Sequence, residues 1–273
     1  MSNSQNEITF FAWSDTHFGY EQKFASSDFR WDIIEQMNNL PGWPFPESIG
    51  GTVAEPEFVV HLGDFVDGGR SANLELGTYD YFRKRLRFPQ HEVLGNHDMA
   101  FPEAVEQFVS RHGALSYSFD CGGFHFVSLC IDCSEHGGGA VNEAALNFLR
   151  EDLGQLSAQT VTVMFVHIRL DHIHNGNEVL ELLKDRNVVL MMSGHLHKPA
   201  VSELDGISCL DVGHCRDHPI DAKYGRSICV VRLTETSITA VPWRWDFKDW
   251  ENGQCWPNPS ETADQFILTR DLK

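Results

Sequence analysis

A short apolar run of strand type ends directly in polar side chains at five places along this 273-residue chain. The clearest example is the run at residues 58–62, which is followed by Gly63, Asp64 and, three positions later, Asp67. Ligands of open α/β sheets gather in the crevice outside the carboxyl ends of the strands, so these ends can converge on one site. The five polar clusters lie at residues 14–17, 64–69, 95–98, 167 and 194–197.

The spacing of apolar residues predicts strands that alternate with helices over most of the chain. Strands are predicted at residues 8–13, 58–62, 92–94, 161–166 and 188–192. Helices are predicted at residues 28–40, capped by Asp28, and at 71–86, 102–112, 142–156 and 179–185. The face of the second helix is assigned to Leu74, Tyr81, Phe82 and Leu86.

The remaining segments define the fold class. Cys121-Gly122-Gly123 predicts a hairpin, residues 41–56 are predicted to form a long loop, and at least four short strands are expected after residue 199. These elements predict an α/β fold, which some schemes class as α+β. We expect a single domain over residues 1–245 and a C-terminal tail, residues 246–273, packed on it.

The charge balance restricts the partners of the chain. Its 39 acidic and 21 basic residues give a net charge of −18, which repels nucleic acid and anionic lipid at long range. No signal-like segment opens the sequence and no apolar run approaches ~18 residues, so we expect a cytoplasmic protein with no membrane partner. The seven cysteines fit reduced thiols, and Cys130 and Cys133 are interpreted as buried thiols rather than a redox or zinc pair.

The residue types in the polar clusters indicate catalytic metal chemistry. Aspartate, asparagine and histidine without cysteine suit Mn, Fe or Zn, whereas closed structural zinc sites favour thiolates. The cluster spacings resemble those of the calcineurin-like metallophosphoesterase superfamily, in the family's order, from about Phe10 to about Pro199. The matching motifs are Asp15-x-His17, Gly63-Asp64-x-x-Asp67-Gly68, Gly95-Asn96-His97-Asp98, His167 and Gly194-His195-x-His197.

The resemblance implies two mixed β-sheets packed as a sandwich with helices on the outer faces, and a centre of two metal ions bridged by Asp64. One ion would bind Asp15, His17, Asp64 and His197, and the other would bind Asp64, Asn96, His167 and His195. His97, oriented by Asp98, would protonate the leaving oxygen. Weaker candidates for substrate contact are Arg216, His214 and Arg169, followed by His172, His174 and His218.

At two places this chain differs from the motifs of particular branches of the superfamily. Purple acid phosphatases have a tyrosine ligand three residues after the bridging aspartate, where this chain has Asp67, so no tyrosinate-to-iron colour is expected. The protein Ser/Thr phosphatases typically have an arginine and a glutamate where this chain has Gly68 and Asp98. Neither branch is therefore expected.

The expected activity is hydrolysis of a small phosphodiester or phosphomonoester by in-line attack of a hydroxide generated at two metal ions, which would be Mn, Fe or Zn. A metal-dependent nuclease of the same superfamily is one alternative, and the acidic charge speaks against it. A non-catalytic binding scaffold is the other, because a fold does not determine a function. Such a scaffold would be expected to lose ligands, whereas all seven positions are filled. The oligomeric state is left undetermined.

Overall fold

The computed structural model describes residues 7–20, 29–68, 72–133, 139–216, 226–250 and 268–272, and its strands form two mixed sheets. The first sheet contains β1 (Glu7–Trp13), β2 (Phe58–His61), β3 (Gln90–Glu92), β10 (Ser227–Thr234), β11 (Ser237–Arg244), β12 (Asp249–Trp250) and β13 (Leu268–Asp271). The second contains β4 (Tyr117–Cys121), β5 (Phe124–Ser128), β6 (Thr162–Phe165), β7 (Val188–Ser193), β8 (Ala200–Leu204) and β9 (Ile207–Asp211). Their orders are β12-β11-β10-β1-β2-β3, with β13 beside β11, and β4-β5-β6-β7-β9-β8.

Helices follow most of the parallel strands in the described ranges. They are α1 (Phe29–Asn39), α2 (Ala72–Arg83), α3 (Asn96–Met99), α4 (Pro102–His112), α5 (Glu143–Gln155) and α6 (Gly176–Leu183), with a 3₁₀ turn at Leu170–His172. The predicted hairpin is present as the antiparallel pair β4 and β5. Asp28, the predicted cap of the first helix, lies outside the described residues.

Phe10 and Phe11 show how one strand supports both faces of its sheet. Successive side chains of a strand point to opposite faces, so Phe10 enters the core between the sheets while Phe11 packs with helices α1, α2 and α4. Phe10 contacts Phe58, Phe126 and Phe165 at ring-centroid distances of 4.9, 5.8 and 5.9 Å. Burying each ring contributes roughly 1.5–3 kcal/mol. A third core cluster joins the second sheet to α5 and α6. The predicted α/β sandwich is therefore confirmed.

Helix α2 is rotated relative to its predicted face. Leu74 and Tyr81, which the prediction placed on the apolar face, are 70% and 44% exposed. The buried face instead carries Leu76, Tyr79 and Phe82. The reason is Tyr79, whose hydroxyl donates to the buried Glu92 carboxylate at 2.7 Å and so needs an inward position.

The last two described strands fall within the predicted tail. Trp250 of β12 pairs with Trp243, and Leu268 of β13 pairs with Ala240, so this segment extends the first sheet. Trp250 and Leu268 are both buried. The division of the chain at residue 245 stays a prediction.

Glu92, the last residue of β3, is a buried carboxylate that accepts hydrogen bonds from three side chains. Its carboxylate accepts from the Tyr79 hydroxyl, from Arg111 Nε at 2.8 Å and from His112 Nε2 at 2.9 Å. Burial alone would raise the pKa of Glu92, but the His112 hydrogen bond and the Arg111 charge outweigh burial and lower the pKa to about 2. Its ionised form therefore stabilises the fold.

We expect Glu92→Gln to lower the free energy of unfolding by ~3–5 kcal/mol at pH 7, because the substitution leaves the Arg111 charge partly buried without its partner. Because folding lowers the pKa of Glu92, its contribution to the free energy of unfolding is complete above the unfolded-state pKa, 4.5, and is lost as pH falls toward about 2. Wild-type protein should lose ~3 kcal/mol of this origin over that window. Urea unfolding at pH 7, 4 and 3 measures both effects.

Glu203→Gln is the matched control for Glu92→Gln, because Glu203 is exposed on strand β8. Its free energy of unfolding should follow that of the wild type at every pH. If Glu92→Gln and the wild type lose stability in parallel between pH 7 and pH 3, the assigned role of Glu92 is wrong.

Candidate metal centre

The loops that follow β1, β2 and β7 share an uncommon backbone conformation. Seven non-glycine residues have a positive φ within the described ranges, and five of them are predicted metal ligands. Such left-handed residues cost of order 1–3 kcal/mol each, and they cluster where side chains are aimed at a functional site. The five are Asp15 (φ 53°), His17 (φ 42°), Asp64 (φ 56°), His195 (φ 67°) and His197 (φ 56°).

Backbone hydrogen bonds join neighbouring ligand loops within each sheet. The Asp15 amide donates to the Gly63 carbonyl at 3.0 Å, and the His17 amide donates to the Asp64 carbonyl at 3.0 Å. The Gly194 amide donates to the His167 carbonyl at 3.1 Å. Two further hydrogen bonds connect the two sheets, because His167 Nδ1 donates to the Leu62 carbonyl at 2.7 Å and the His195 amide donates to Asp15 Oδ2 at 3.1 Å. The carboxyl ends of strands from both sheets therefore meet at one place.

The first ligand group contains Asp15, His17 and His197, whose ligand atoms all lie within 4.8 Å of one another. His197 Nε2 lies 3.0 Å from Asp15 Oδ1 and 3.3 Å from His17 Nε2. All three side chains come from loops, and Asp15 and His17 are fully buried. They are three of the four residues predicted for the first ion.

The second ligand group contains Asp64, His167 and His195, again within 4.8 Å. The Asn96 side-chain oxygen lies 3.2 Å from His167 Nε2 and 3.0 Å from His195 Nδ1. The Nδ1 of His167 donates to the Leu62 carbonyl at 2.7 Å, which directs Nε2 to the group. These are the residues predicted for the second ion.

Asp64 lies between the two groups. Its Oδ2 is 3.6 Å from His17 Nε2 and 3.3 Å from His167 Nε2. Burial acts to raise the pKa of Asp64, but the charge and hydrogen bond of His167 outweigh burial, and the pKa falls to about 2. The carboxylate is therefore ionised and faces both groups.

The polar atoms of this centre fit bound cations. The buried Oδ1 of Asp15 accepts no hydrogen bond of suitable geometry although His197 Nε2 lies only 3.0 Å away, as expected of two atoms that would share a cation. The apposed Nε2 atoms of His17 and His197 also direct lone pairs at each other unless a proton or a cation lies between them. Oxygen and imidazole donors without thiolate suit Mn, Fe or Zn. Which ions the residues bind stays a prediction.

Two glycines allow the loops to approach this closely. A Cβ on Gly63 would lie 2.5 Å from His167 Nδ1, and a Cβ on Gly95 would lie 2.1 Å from Asp64 Oδ1. The first glycine also has φ +98°, which other residues rarely adopt. The centre therefore depends on these two glycines for its packing.

We expect Gly95→Ala to displace the Asp64 carboxylate, to remove at least one bound metal ion and to lower hydrolysis by ~10²-fold or more, since a shift of about 1 Å costs that much. Gly154→Ala is the control, because Gly154 lies in helix α5 with nothing within 4 Å of its added Cβ. Metal analysis and initial rates on both variants check the result. A Gly95→Ala protein with full metal content would contradict the packing argument.

Asp98 has a different role from the predicted one. The prediction that its carboxylate orients the His97 ring is wrong. Oδ2 of Asp98 accepts from the backbone amides of Asp64 and Gly95, both at 2.8 Å, and Oδ1 accepts from the Val66 amide at 3.1 Å. Asp98 is fully buried, so its carboxylate holds the two ligand loops together.

Asp67 performs the positioning that was assigned to Asp98. The Nδ1 of His97 donates to the Asp67 carbonyl at 2.6 Å. The Asp67 carboxylate lies 3.3 Å from His17 Nδ1, an arrangement in which an outer carboxylate orients a ligating imidazole. The sequence prediction gave Asp67 no role beyond replacing a tyrosine, although its position three residues after Asp64 in the same motif was a usable signal.

The first three of the weaker candidates for substrate contact have different surroundings in the structure. Arg169 forms ion pairs within the protein. Its guanidinium donates to both oxygens of Asp171, at 3.0 and 2.7 Å, and to Asp211 at 3.1 Å. We therefore correct its predicted role to a structural one. The His214 ring lies 5.5 Å from the His197 ring, and Arg216 is two residues further along the same loop. His218 lies outside the described residues.

The two-sheet sandwich and its histidine- and aspartate-rich centre define the class of protein. A family model described as calcineurin-like phosphoesterase matches residues 8–199. The chain therefore belongs to the calcineurin-like phosphoesterase family, which confirms the resemblance found in its motifs.

Solved structures show the same fold at low identity. The chain is similar to GAP50, the anchor in the inner membrane complex of Plasmodium, with a TM-score of 0.61 and 12% identity over 98% of this chain and 90% of that chain. It is also similar to PhoD, with a TM-score of 0.55 and 12% identity over 100% of this chain and 72% of that chain. No curated protein matches the chain. Among the described helices, none is long and apolar enough to cross a membrane.

Proposed function

We propose that this protein is a metal-dependent phosphoesterase that hydrolyses a small phosphodiester or phosphomonoester at the centre described above. The observation that carries the proposal is the position of Asp64, whose Oδ2 lies within 3.6 Å of a ring nitrogen from each ligand group. A carboxylate in that position suits two adjacent ions. The two sets of ligands share Asp64 and are completed by Asp15, His17 and His197 on one side and by Asn96, His167 and His195 on the other.

A bound metal pair would supply water of lowered pKa and positive charge for the attacking and leaving oxygens of an in-line displacement. The chain's own side chains determine where this chemistry takes place. Asp15 and Asp64 carry negative charge opposite the imidazoles, and Asp67 and the Leu62 carbonyl orient the rings of His17 and His167. The substrate phosphate would therefore meet a centre whose ligands are already positioned.

In this proposal His97 acts as the general acid. Its ring lies edge-on to His17 at a centroid distance of 4.7 Å, and its Nδ1 proton is held by the Asp67 carbonyl. That hydrogen bond leaves Nε2 to deliver a proton to the leaving oxygen. General acid catalysis of this kind contributes ~10²–10⁴-fold when the leaving group is basic.

The test is metal reconstitution. Purified protein is stripped with a chelator, reloaded separately with Mn²⁺, Fe²⁺ or Zn²⁺, and assayed with bis-p-nitrophenyl phosphate and p-nitrophenyl phosphate while bound metal is counted. We expect hydrolysis that rises with metal content up to two ions per chain. Two bound ions without hydrolysis of either ester would instead favour a scaffold, and GAP50, a protein of the same fold, is described as an anchor.

Hydrolysis of an oligonucleotide is the outcome that separates a nuclease from the proposed enzyme. A nuclease should bind single-stranded DNA with an affinity that falls steeply as salt rises. The net charge of −18 leads us to expect weak, salt-insensitive binding and a small phosphate ester as the substrate.

A further inference from the structure

Tyr20 and Arg216 lie together at one rim of the candidate metal centre. The loop of Arg216 packs on the loop of Asp15, because the Cys215 amide donates to the Ser14 carbonyl at 3.0 Å. The Tyr20 amide donates to the His17 carbonyl at 3.1 Å. The Arg216 guanidinium carbon lies 5.5 Å from the centre of the Tyr20 ring. An arginine and a tyrosine are thus placed side by side, within a few residues of two predicted ligands.

The backbone beside Tyr20 is tightly constrained. Gly19 has φ +110°, and a Cβ at this position would lie 2.3 Å from the Glu75 carboxylate carbon. The same Glu75, which is buried, accepts from the Gly68 amide at 3.0 Å. One side chain of helix α2 therefore contacts the loops after both β1 and β2. Tyr20 is 37% exposed, yet the backbone that carries it is held in place.

Tyr20 and Arg216 lie on the side of the centre that carries His97. The Asp67 amide donates to the Phe18 carbonyl at 3.0 Å, so the segment that leads to Tyr20 runs beside Asp67. The Asp67 carbonyl in turn accepts from His97 Nδ1 at 2.6 Å. The Tyr20 ring, with Arg216 beside it, is therefore near the proposed general acid, on the side from which the leaving group would depart.

We infer that Tyr20 and Arg216 form the binding surface for the alcohol part of the substrate, and that this part carries a planar ring. The inference rests on the proposed function. A partly exposed tyrosine ring beside a guanidinium offers two planar groups on which a nucleobase or an aryl ring can stack. A second phosphate group fits less well, because the Asp67 carboxylate and the negative face of the tyrosine ring would oppose it.

The binding test compares two phosphonates that cannot be hydrolysed, p-nitrobenzylphosphonate and methylphosphonate, by calorimetry on metal-loaded full-length protein. The wild type should bind the ring-bearing ligand more tightly. Tyr20→Ala should lose ~5- to 100-fold of that preference, the size of one ring-stacking contact, while its affinity for methylphosphonate is kept. Tyr20→Phe, which retains the ring, should behave as the wild type, and Arg216→Lys should lie between them.

Tyr81→Ala is the matched control, because Tyr81 is also exposed beside an arginine, with Arg85 Cζ 3.5 Å from its ring, but lies on helix α2. It should leave both affinities unchanged. If Tyr20→Ala loses affinity for both phosphonates equally, or for neither, the inference is wrong. Hydrolysis by the wild type would still support the proposed function in that case. If the protein prefers the ring-bearing phosphonate through Tyr20 but hydrolyses neither ester, the binding surface is supported and the proposed enzymatic function is refuted.

Discussion

Asp64→Asn is expected to lower bound metal from two ions to one or none and to reduce hydrolysis by more than ~10³-fold. Outer-shell substitutions alone cost ~10–100-fold in metal affinity or activity, and Asp64 faces both ligand groups directly. The amide removes the negative charge and presents an NH₂ group to one of two imidazoles. It also weakens the acceptor of the His97 amide, which now donates to Asp64 Oδ1 at 2.9 Å.

Asp205→Asn is the control for this substitution. Asp205 also has a positive φ, 48°, but it lies in the turn between β8 and β9, away from the centre. The same chemical change in the same backbone conformation should therefore keep both ions and full activity. Metal counting after dialysis decides the matter, and an Asp64→Asn protein with two tightly bound ions would refute the bridging position.

His97→Ala should keep both metal ions and lose activity in proportion to the basicity of the leaving oxygen. A p-nitrophenolate leaving group scarcely needs a proton, so p-nitrophenyl esters should show a modest loss. Alkyl or ribose phosphates should slow by ~10²–10⁴-fold. A plot of rate against leaving-group pKa for the variant and the wild type measures the difference. Parallel lines, or a loss of metal, would show that His97 only packs the turn after Asn96.

Asp98→Asn provides a contrast to His97→Ala. The Asp98 carboxylate accepts from the amides of Asp64, Val66 and Gly95, whereas the His97 ring donates to the Asp67 carbonyl. Its substitution should therefore lower metal content and slow both kinds of ester by the same factor. A leaving-group dependence like that of His97→Ala would restore the role that the sequence predicted for Asp98.

The sequence by itself determined the fold class and which side chains gather at the centre. Both depend on local patterns, because an apolar strand that ends in a polar residue places that residue at the edge of the sheet wherever the strand lies. Asp15, Asp64, Asn96, His167 and His195 could each be placed at the end of its own strand in this way. The order of the motifs then connected them to one family.

Only the tertiary structure decided which partner each polar group takes. Asp98 and Asp67 are both acidic residues within three positions of a predicted ligand, and nothing local shows that one accepts from three amides while the other faces His17. That choice depends on the loops after β2 and β3 lying side by side, a contact between residues distant in sequence. The ion pair of Arg169 with Asp211 and the inward position of Tyr79 on α2 have the same cause. Each depends on a contact with a residue distant in sequence, which the local sequence pattern does not specify.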